Sequence, residues 1–398
     1  MRTARATAWS AVAQLATVLS LLCALTVFAA PAPAPIRIGV SLGLTGQYAN
    51  IAGHQQRAYE LWVRDVNSRG GILGRNVQVI VRDDRSDPET AKKIYQDFIR
   101  KDKLDFVFGP YSSPIAAAIA PIADAHGYPT LIGGASADEI WKRGYTFILG
   151  VYAPAGRYAV GFLALLAEAG IERVAIVSVD DVFSLAAADG ARRWAPQYQL
   201  EVTGYIVQPK GHPDFAHAAE MARRSGAQAL LLSGHFNEAV QMRAALKRVG
   251  WSPLAYYATV GPAVPKYFEE LGKDAHGTFF TSLWEPREDL RLAGSAAFLR
   301  AYLSAYGESP SYQAATAYAA GQTLEQAIVR AGSTDRAAVR QALFALDINT
   351  IIGRSAVDRT GVQIKQYPLI VQWQGSKREI VWPAELKTAA PILKAKKE

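Results

Sequence analysis

Cysteine is almost missing from this 398-residue chain: its one thiol, Cys23, sits in an apolar stretch near the N-terminus. Beyond that stretch no disulfide, cysteine nucleophile or thiolate metal site can be built. Long apolar runs are scarce as well. Past the N-terminus no uncharged segment reaches the roughly 18 residues that a membrane-spanning helix needs, so a multi-span channel or permease is excluded. The six histidines (His54, His126, His212, His217, His235 and His276) are scattered, with none paired at metal-ligand spacing along a helix. Gly-x-Ser-x-Gly, His-Glu-x-x-His, a Walker loop and a strand-linked Gly-x-Gly-x-x-Gly are all absent, which removes the usual marks of hydrolases, zinc proteases, NTPases and dinucleotide enzymes. No cofactor and no metal are expected. Basic residues are spread out apart from Lys387, Lys394, Lys396 and Lys397. There is thus no basic stripe for a nucleic acid, and the lysine-rich end reads as a solvated, frayed tail.

What is present is a folding composition: half the residues are hydrophobic, 20% are charged, and the formal net charge is +8. Without disulfides, an exported chain of this length must be held by a large core. Export is the expectation because Arg2 and Arg5 precede an apolar run from Ala11 to Ala30 that gives way to Pro31 and Pro33. A basic start, an apolar middle and small residues at the end make a secretory signal, with Val27 and Ala29 suited to cleavage after Ala29. Residues 1–29 are therefore assigned as signal peptide; an uncleaved anchor is the competing reading. Leu22 before Cys23 argues against a lipid anchor there. Either way the body is exported, and a periplasmic location is expected.

From Ile36 the chain alternates strands with helical patterns. Strands are expected at 36–40, 77–81, 106–108 and 128–132. A helix carries Ala58, Leu61, Trp62 and Val66 on one stripe and stops at Gly70-Gly71. Asp87-Pro88-Glu89 opens a second helix as cap, first-turn proline and first-turn acid. After Tyr152 the succession repeats, with strands at 173–179, 202–207, 229–233 and 255–258. Helices are expected at 184–194, up to Met221, at 237–249 and near Phe268. Such alternation implies parallel sheets covered on both faces, and two sets imply two lobes. Helices at 290–306, 312–330 and 336–345 then break the rhythm, before strands at 369–373 and 380–382. The division that follows is 36–151 and 285–350 for one lobe, 152–284 and 351–384 for the other, with 385–398 as tail. The fold class is α/β: two doubly wound parallel-sheet lobes joined by several crossovers around a cleft.

In open parallel sheets, ligands bind beyond the carboxyl ends of the strands. On the first lobe those loops hold Tyr48, Tyr111, Ser112, Ser113, Gly134, Ala135 and Ser136. Small residues, hydroxyls and N–H groups where a helix starts favour an anion such as a carboxylate. Ser113 and Ser136 as mere helix caps is the plainer alternative for each alone. On the second lobe the loops hold Phe183, His235, Phe236 and Val260, and Phe183, Phe236 and Trp284 could wall an apolar ligand, if they are not simply core. Asp83-Asp84 and Asp180-Asp181 read as loop caps before they read as catalytic acids.

These residues resemble a known family. Ile38-Gly39-Val40 with Thr45-Gly46, Val66-Asn67 with Gly70-Gly71-Ile72-Leu73-Gly74, Gly109-Pro110-Tyr111-Ser112-Ser113, Gly134-Ala135-Ser136 and Tyr318-Ala319-Ala320 are together similar to type I periplasmic solute-binding proteins, the leucine/isoleucine/valine-binding class of ABC-transporter receptors. The resemblance covers the whole chain after the signal segment. It implies a non-enzymatic, monomeric receptor that closes by hinge rotation on a small-molecule ligand and presents it to a membrane permease. It further implies that Ser113, Ser136 and groups near Gly134 grip the ligand's carboxylate and amino group, while Phe183 and the His235-Phe236 segment close from the second lobe. One departure stands out. In amino-acid binders of this class an acid after the Ala258 strand pairs with the ligand ammonium, but here the loop reads Thr259-Val260-Gly261-Pro262. A buried ammonium without a counter-charge is costly. A carboxylate ligand without an amino group, aromatic in class, is therefore as well supported as an aliphatic amino acid, unless Asp180 or Asp181 substitutes. The rival readings are a sensor domain of the same fold and, more remotely, an exported α/β hydrolytic enzyme using the paired acids.

Overall fold

The computed structural model describes residues 33–394. The expected signal segment, with Cys23, lies outside the described residues. The chain begins β1 (Ile36–Leu42), α1 (Ala49–Ser68), β2 (Val77–Asp83), α2 (Pro88–Arg100), β3 (Phe106–Phe108), α3 (Ser113–Ala125), β4 (Thr130–Ile132) and β5 (Ile148–Gly150). The strands form one parallel sheet in the order β2-β1-β3-β4-β5. Its strands are short apolar runs because both faces are covered. Phe106 and Phe108 point into the core shared with α1, and Val107 between them packs with Ile115 and Ile119 of α3.

Next come α4 (Val160–Glu168), β6 (Arg173–Val179), α5 (Val182–Trp194), β7 (Glu201–Gln208), α6 (Phe215–Arg224), β8 (Ala229–Ser233), α7 (Phe236–Arg248), β9 (Ala255–Ala258), α8 (Lys266–Leu271) and β10 (Thr278–Ser282). Then α9 (Ser295–Tyr306), α10 (Tyr312–Ala331) and α11 (Arg336–Phe344) follow. A hairpin of β11 (Ile348–Thr350) and β12 (Gly353–Ser355) leads to β13 (Leu369–Gln374) and β14 (Lys377–Trp382). The second sheet runs β14-β13-β10-β9-β8-β6-β7, parallel from β10 to β7 and antiparallel at β13 and β14.

The late helices return to the first sheet. In α10, Gly321 is required by contact: a Cβ there would stand 2.3 Å from the Trp62 ring. Arg69 of α1 pairs with Glu325 of α10 at 2.8 Å. Between the lobes, segments of the chain run side by side. Gly150 donates its N–H to the Gly361 carbonyl at 2.8 Å, and the Gln366 side chain accepts from Ala153 at 3.0 Å.

Two expectations need correction. The helix expected from Leu290 starts at Ser295, because residues 290–294 turn tightly and Gly294 adopts φ +79°, outside helical space. The C-terminal stretch is not a frayed tail through Lys394. Gln372 exchanges two side-chain hydrogen bonds with Ile392 at 2.7 and 2.8 Å, Lys394 donates its N–H to Leu254 at 3.0 Å, and Leu393 packs on the second-lobe core. The strap thus meets both ends of the buried Gln372 amide, which also donates to the Gly277 carbonyl at 3.3 Å. No helix among the described residues is long and apolar enough to cross a membrane.

Candidate functional site

Both sheets reverse strand order beside their first strand, β1 in one and β6 in the other, so each opens a crevice at its carboxyl edge. The two edges face one cleft of about 530 Å³, its open mouth included. Ten of the expected residues line it together: Tyr48, Tyr111, Ser112, Ser113, Gly134, Ala135, Ser136, Phe183, His235 and Val260.

On the first lobe two loops are locked face to face. Ser112 donates its N–H to the Gly134 carbonyl at 3.0 Å, and the Ser113 hydroxyl accepts from the N–H groups of Ser136 (3.4 Å) and Ala137 (3.2 Å). This approach demands glycine. A Cβ on Gly134 would lie 2.7 Å from the Pro110 carbonyl oxygen, and one on Gly109 would lie 2.4 Å from Ile132. From behind, Gln55 and Thr316 both donate to the Gly133 carbonyl, at 3.3 and 2.8 Å.

Ser112 is the unusual member. It caps α3 with φ +82° and ψ 142°, a region that costs a side-chain-bearing residue of order 1–3 kcal/mol. Its hydroxyl makes no capping bond and lies buried without a partner. The Ser113 and Ser136 hydroxyls are already engaged, Ser136 by the hydroxyl of Tyr158 at 3.0 Å. The unpartnered hydroxyl at the α3 N-terminus is thus that of Ser112, beside first-turn N–H groups that favour an anion.

The second lobe presents side chains rather than backbone. Phe183 sits edge-on to Tyr158 (5.8 Å between ring centroids) and beside the His235 ring (5.1 Å). His235 and Val260 are held together, since the Thr259 hydroxyl bridges both backbone groups of Gly234. Asp181 lies beneath. Its carboxylate accepts from the N–H groups of Phe183 (3.0 Å) and Ser184 (2.9 Å) and from the Ser184 hydroxyl (2.8 Å), with the His235 imidazole 3.6 Å away. Burial pushes its pKa up, but the imidazole and these donors outweigh burial and hold it at about 2. This acid is a cap, as its place before α5 implied.

Sequence reasoning missed Tyr152, Tyr158, Lys210 and Tyr312, which also line the cleft. Lys210 was within reach, because it follows β7 and the carboxyl-edge rule applies to every strand. The tyrosines lie on a crossover and at the start of α10, where strand ends give no signal. Burial raises the pKa of the Tyr111, Tyr152, Tyr158 and Tyr312 hydroxyls, so they serve as neutral hydrogen-bonding groups.

Two expected residues are not at the cleft. Trp284 is fully buried, donating to the Ser295 hydroxyl at 2.7 Å and packing edge-on against Phe298. Phe236, the first residue of α7, turns its ring toward Lys266, whose ammonium lies 5.4 Å from the ring centroid. A neighbouring helix gives Trp284 closer apolar packing than the open groove would, and gives Phe236 a cation–π partner. Three of the four paired acids are structural: besides Asp181, Asp83 accepts from Thr45, and buried Asp84 accepts from Ser41 at 2.7 Å. Among the described residues no cluster of three His, Cys, Asp or Glu side chains could hold a metal.

Two lobes that face each other across a cleft lined by helix N-termini and aromatic side chains define a solute-binding architecture. The family model of periplasmic binding proteins matches residues 35–378, and the chain belongs to that family. Among its relatives, Leu/Ile/Val-binding protein homolog 7 of Brucella suis is 25% identical over 385 residues, covering 90% of this chain and 94% of the relative. A crystal structure of a leucine binding protein from Thermotoga maritima superposes with a TM-score of 0.77 at 21% identity, covering 87% of this chain and 97% of that one. A solute binding protein of an ABC transporter from R. palustris, in complex with benzoate, has a TM-score of 0.73 at 20% identity and covers 91% and 98%. Members of the family bind solutes and do not turn them over.

Proposed function

We propose that this protein is the exported, soluble receptor of an ABC uptake transporter, and that its ligand is a small aromatic carboxylate rather than an aliphatic amino acid. The signal segment at residues 1–29 would deliver a monomer to the periplasm, where a membrane permease receives the closed, loaded form. One observation carries the ligand class. Asp181, the one carboxylate lining the cleft among the described residues, is committed to the start of α5 and to His235, so a ligand ammonium finds no free counter-charge among them. A carboxylate does find a counterpart in the α3 N-terminus and the Ser112 hydroxyl. Tyr48, Tyr111, Tyr152, Phe183 and Tyr312 then supply ring-shaped walls for a planar apolar body.

In this mechanism the first lobe takes the carboxylate and the second rotates onto the ring. Ligand contacts made only in the closed state shift the population toward it. The related benzoate complex supports the same class of ligand. Titration calorimetry of the mature chain with benzoate, leucine, isoleucine and valine tests the proposal. Heat with benzoate and none with the three amino acids is expected; saturable binding of the amino acids alone would refute it.

A further inference from the structure

Lys210 projects into the cleft from the loop after β7, on the lobe opposite α3. Its ammonium makes no ion pair or hydrogen bond with any described residue, and the side chain is exposed. Among the described residues, the other cleft-lining groups able to form an ion pair are Asp181 and His235, which face each other at 3.6 Å. Asp181 spends its remaining acceptor capacity on Phe183 and Ser184. Lys210 is therefore an unspent positive charge across the groove from an anion-favouring helix start with an unpartnered buried hydroxyl.

We infer that the ligand carries a second anionic group at the end remote from its first carboxylate, and that Lys210 selects for it. The inference rests on the reading of the cleft as an aromatic-carboxylate site and adds the other half of the ligand. A monoacid seated on α3 would place its bare ring edge toward Lys210. Closure would then strip water from the ammonium and give nothing in return. An aromatic diacid of suitable span meets both ends. Its first carboxylate takes the α3 N–H groups and the Ser112 hydroxyl, its ring lies among Tyr111, Tyr152 and Phe183, and its second carboxylate replaces the water lost from Lys210.

The test compares benzoate with benzene-1,4-dicarboxylate by titration calorimetry on the mature chain and on Lys210→Met and Lys210→Arg variants. The diacid is expected to bind about fivefold more tightly than benzoate. Lys210→Met should erase that advantage by weakening the diacid while tightening benzoate, whose closure no longer strips water from an ammonium, and Lys210→Arg should keep part of the advantage. Equal affinity of the two acids for the unmodified protein overturns the inference. So does a Lys210→Met variant that weakens both acids alike. If neither aromatic acid binds while leucine does, the carboxylate-ring reading of the cleft fails, and that result is distinct from benzoate binding without a diacid advantage.

Discussion

Tyr158, on the segment leading into the second lobe, donates its hydroxyl to Ser136 of the first across 3.0 Å, while its ring meets the edge of Phe183. One buried side chain thus touches the anchoring loop of one lobe and the closing ring of the other. Tyr158→Phe keeps the ring and removes the bond. It is expected to lower unfolding stability by about 1 kcal/mol and to leave Ser136 freer to bond elsewhere. Urea titration of the unliganded protein measures the first effect; a denaturation midpoint equal to that of the unmodified chain would count against the bond.

Ser112 is held at φ +82° with its hydroxyl unpaired, which a merely structural residue would not require. Ser112→Gly should relieve backbone strain and stabilise the unliganded protein by about 1 kcal/mol, while weakening carboxylate binding at least several-fold. Ser112→Ala removes the hydroxyl and retains the strain, so it should lose affinity without gaining stability. Thermal melts and calorimetry on the pair separate the two contributions.

Gly134 stands where any side chain would push against Pro110 and Tyr111. Gly134→Ala is expected to part the two anchoring loops and cost more than about tenfold in ligand affinity, with far-UV circular dichroism unchanged. Retained affinity in the alanine variant would show that the loop contact is dispensable.

Asp181 gives a pH signature. Folding depresses its pKa from the model-peptide value of 3.8 to about 2. Its contribution to stability is therefore fully present above about pH 4 and disappears as the pH falls through 2. At pH 5 Asp181→Asn should be less stable by about 2 kcal/mol, and the gap should close on acidification. Denaturant titrations at pH 5, 4, 3 and 2 follow it; a gap of constant size would exclude a titrating origin.

The lobes were legible because buried parallel strands are written as short apolar runs and helices as striped ones. Ala58, Leu61, Trp62 and Val66 all point into the core, and Asp87 caps α2 by accepting from Thr90 at 2.7 Å. Single side chains were harder to place. Trp284 and Phe236 carry the same apolar signal whether they wall a groove or fill a core, and only the position of neighbouring helices decides between them. Ser112 and Ser113 are chemically alike, and which hydroxyl braces the loop depends on a backbone dihedral that composition does not encode. The strapping of residues 388–394 was hidden for a similar reason, since it depends on Gln372 of β13 and on Leu254, which is distant in sequence.

The two halves of the cleft are made of different materials. One wall is built on close main-chain contacts and glycine, where a side chain at Gly109 or Gly134 breaks the geometry; the other presents Lys210, Phe183, His235 and Val260, side chains that take no part in those close contacts. Diversification of such a scaffold has an easy direction. Descendants can acquire new cargo by exchanging residues on the yielding wall, exposed Lys210 foremost, while inheriting the acid-holding wall intact.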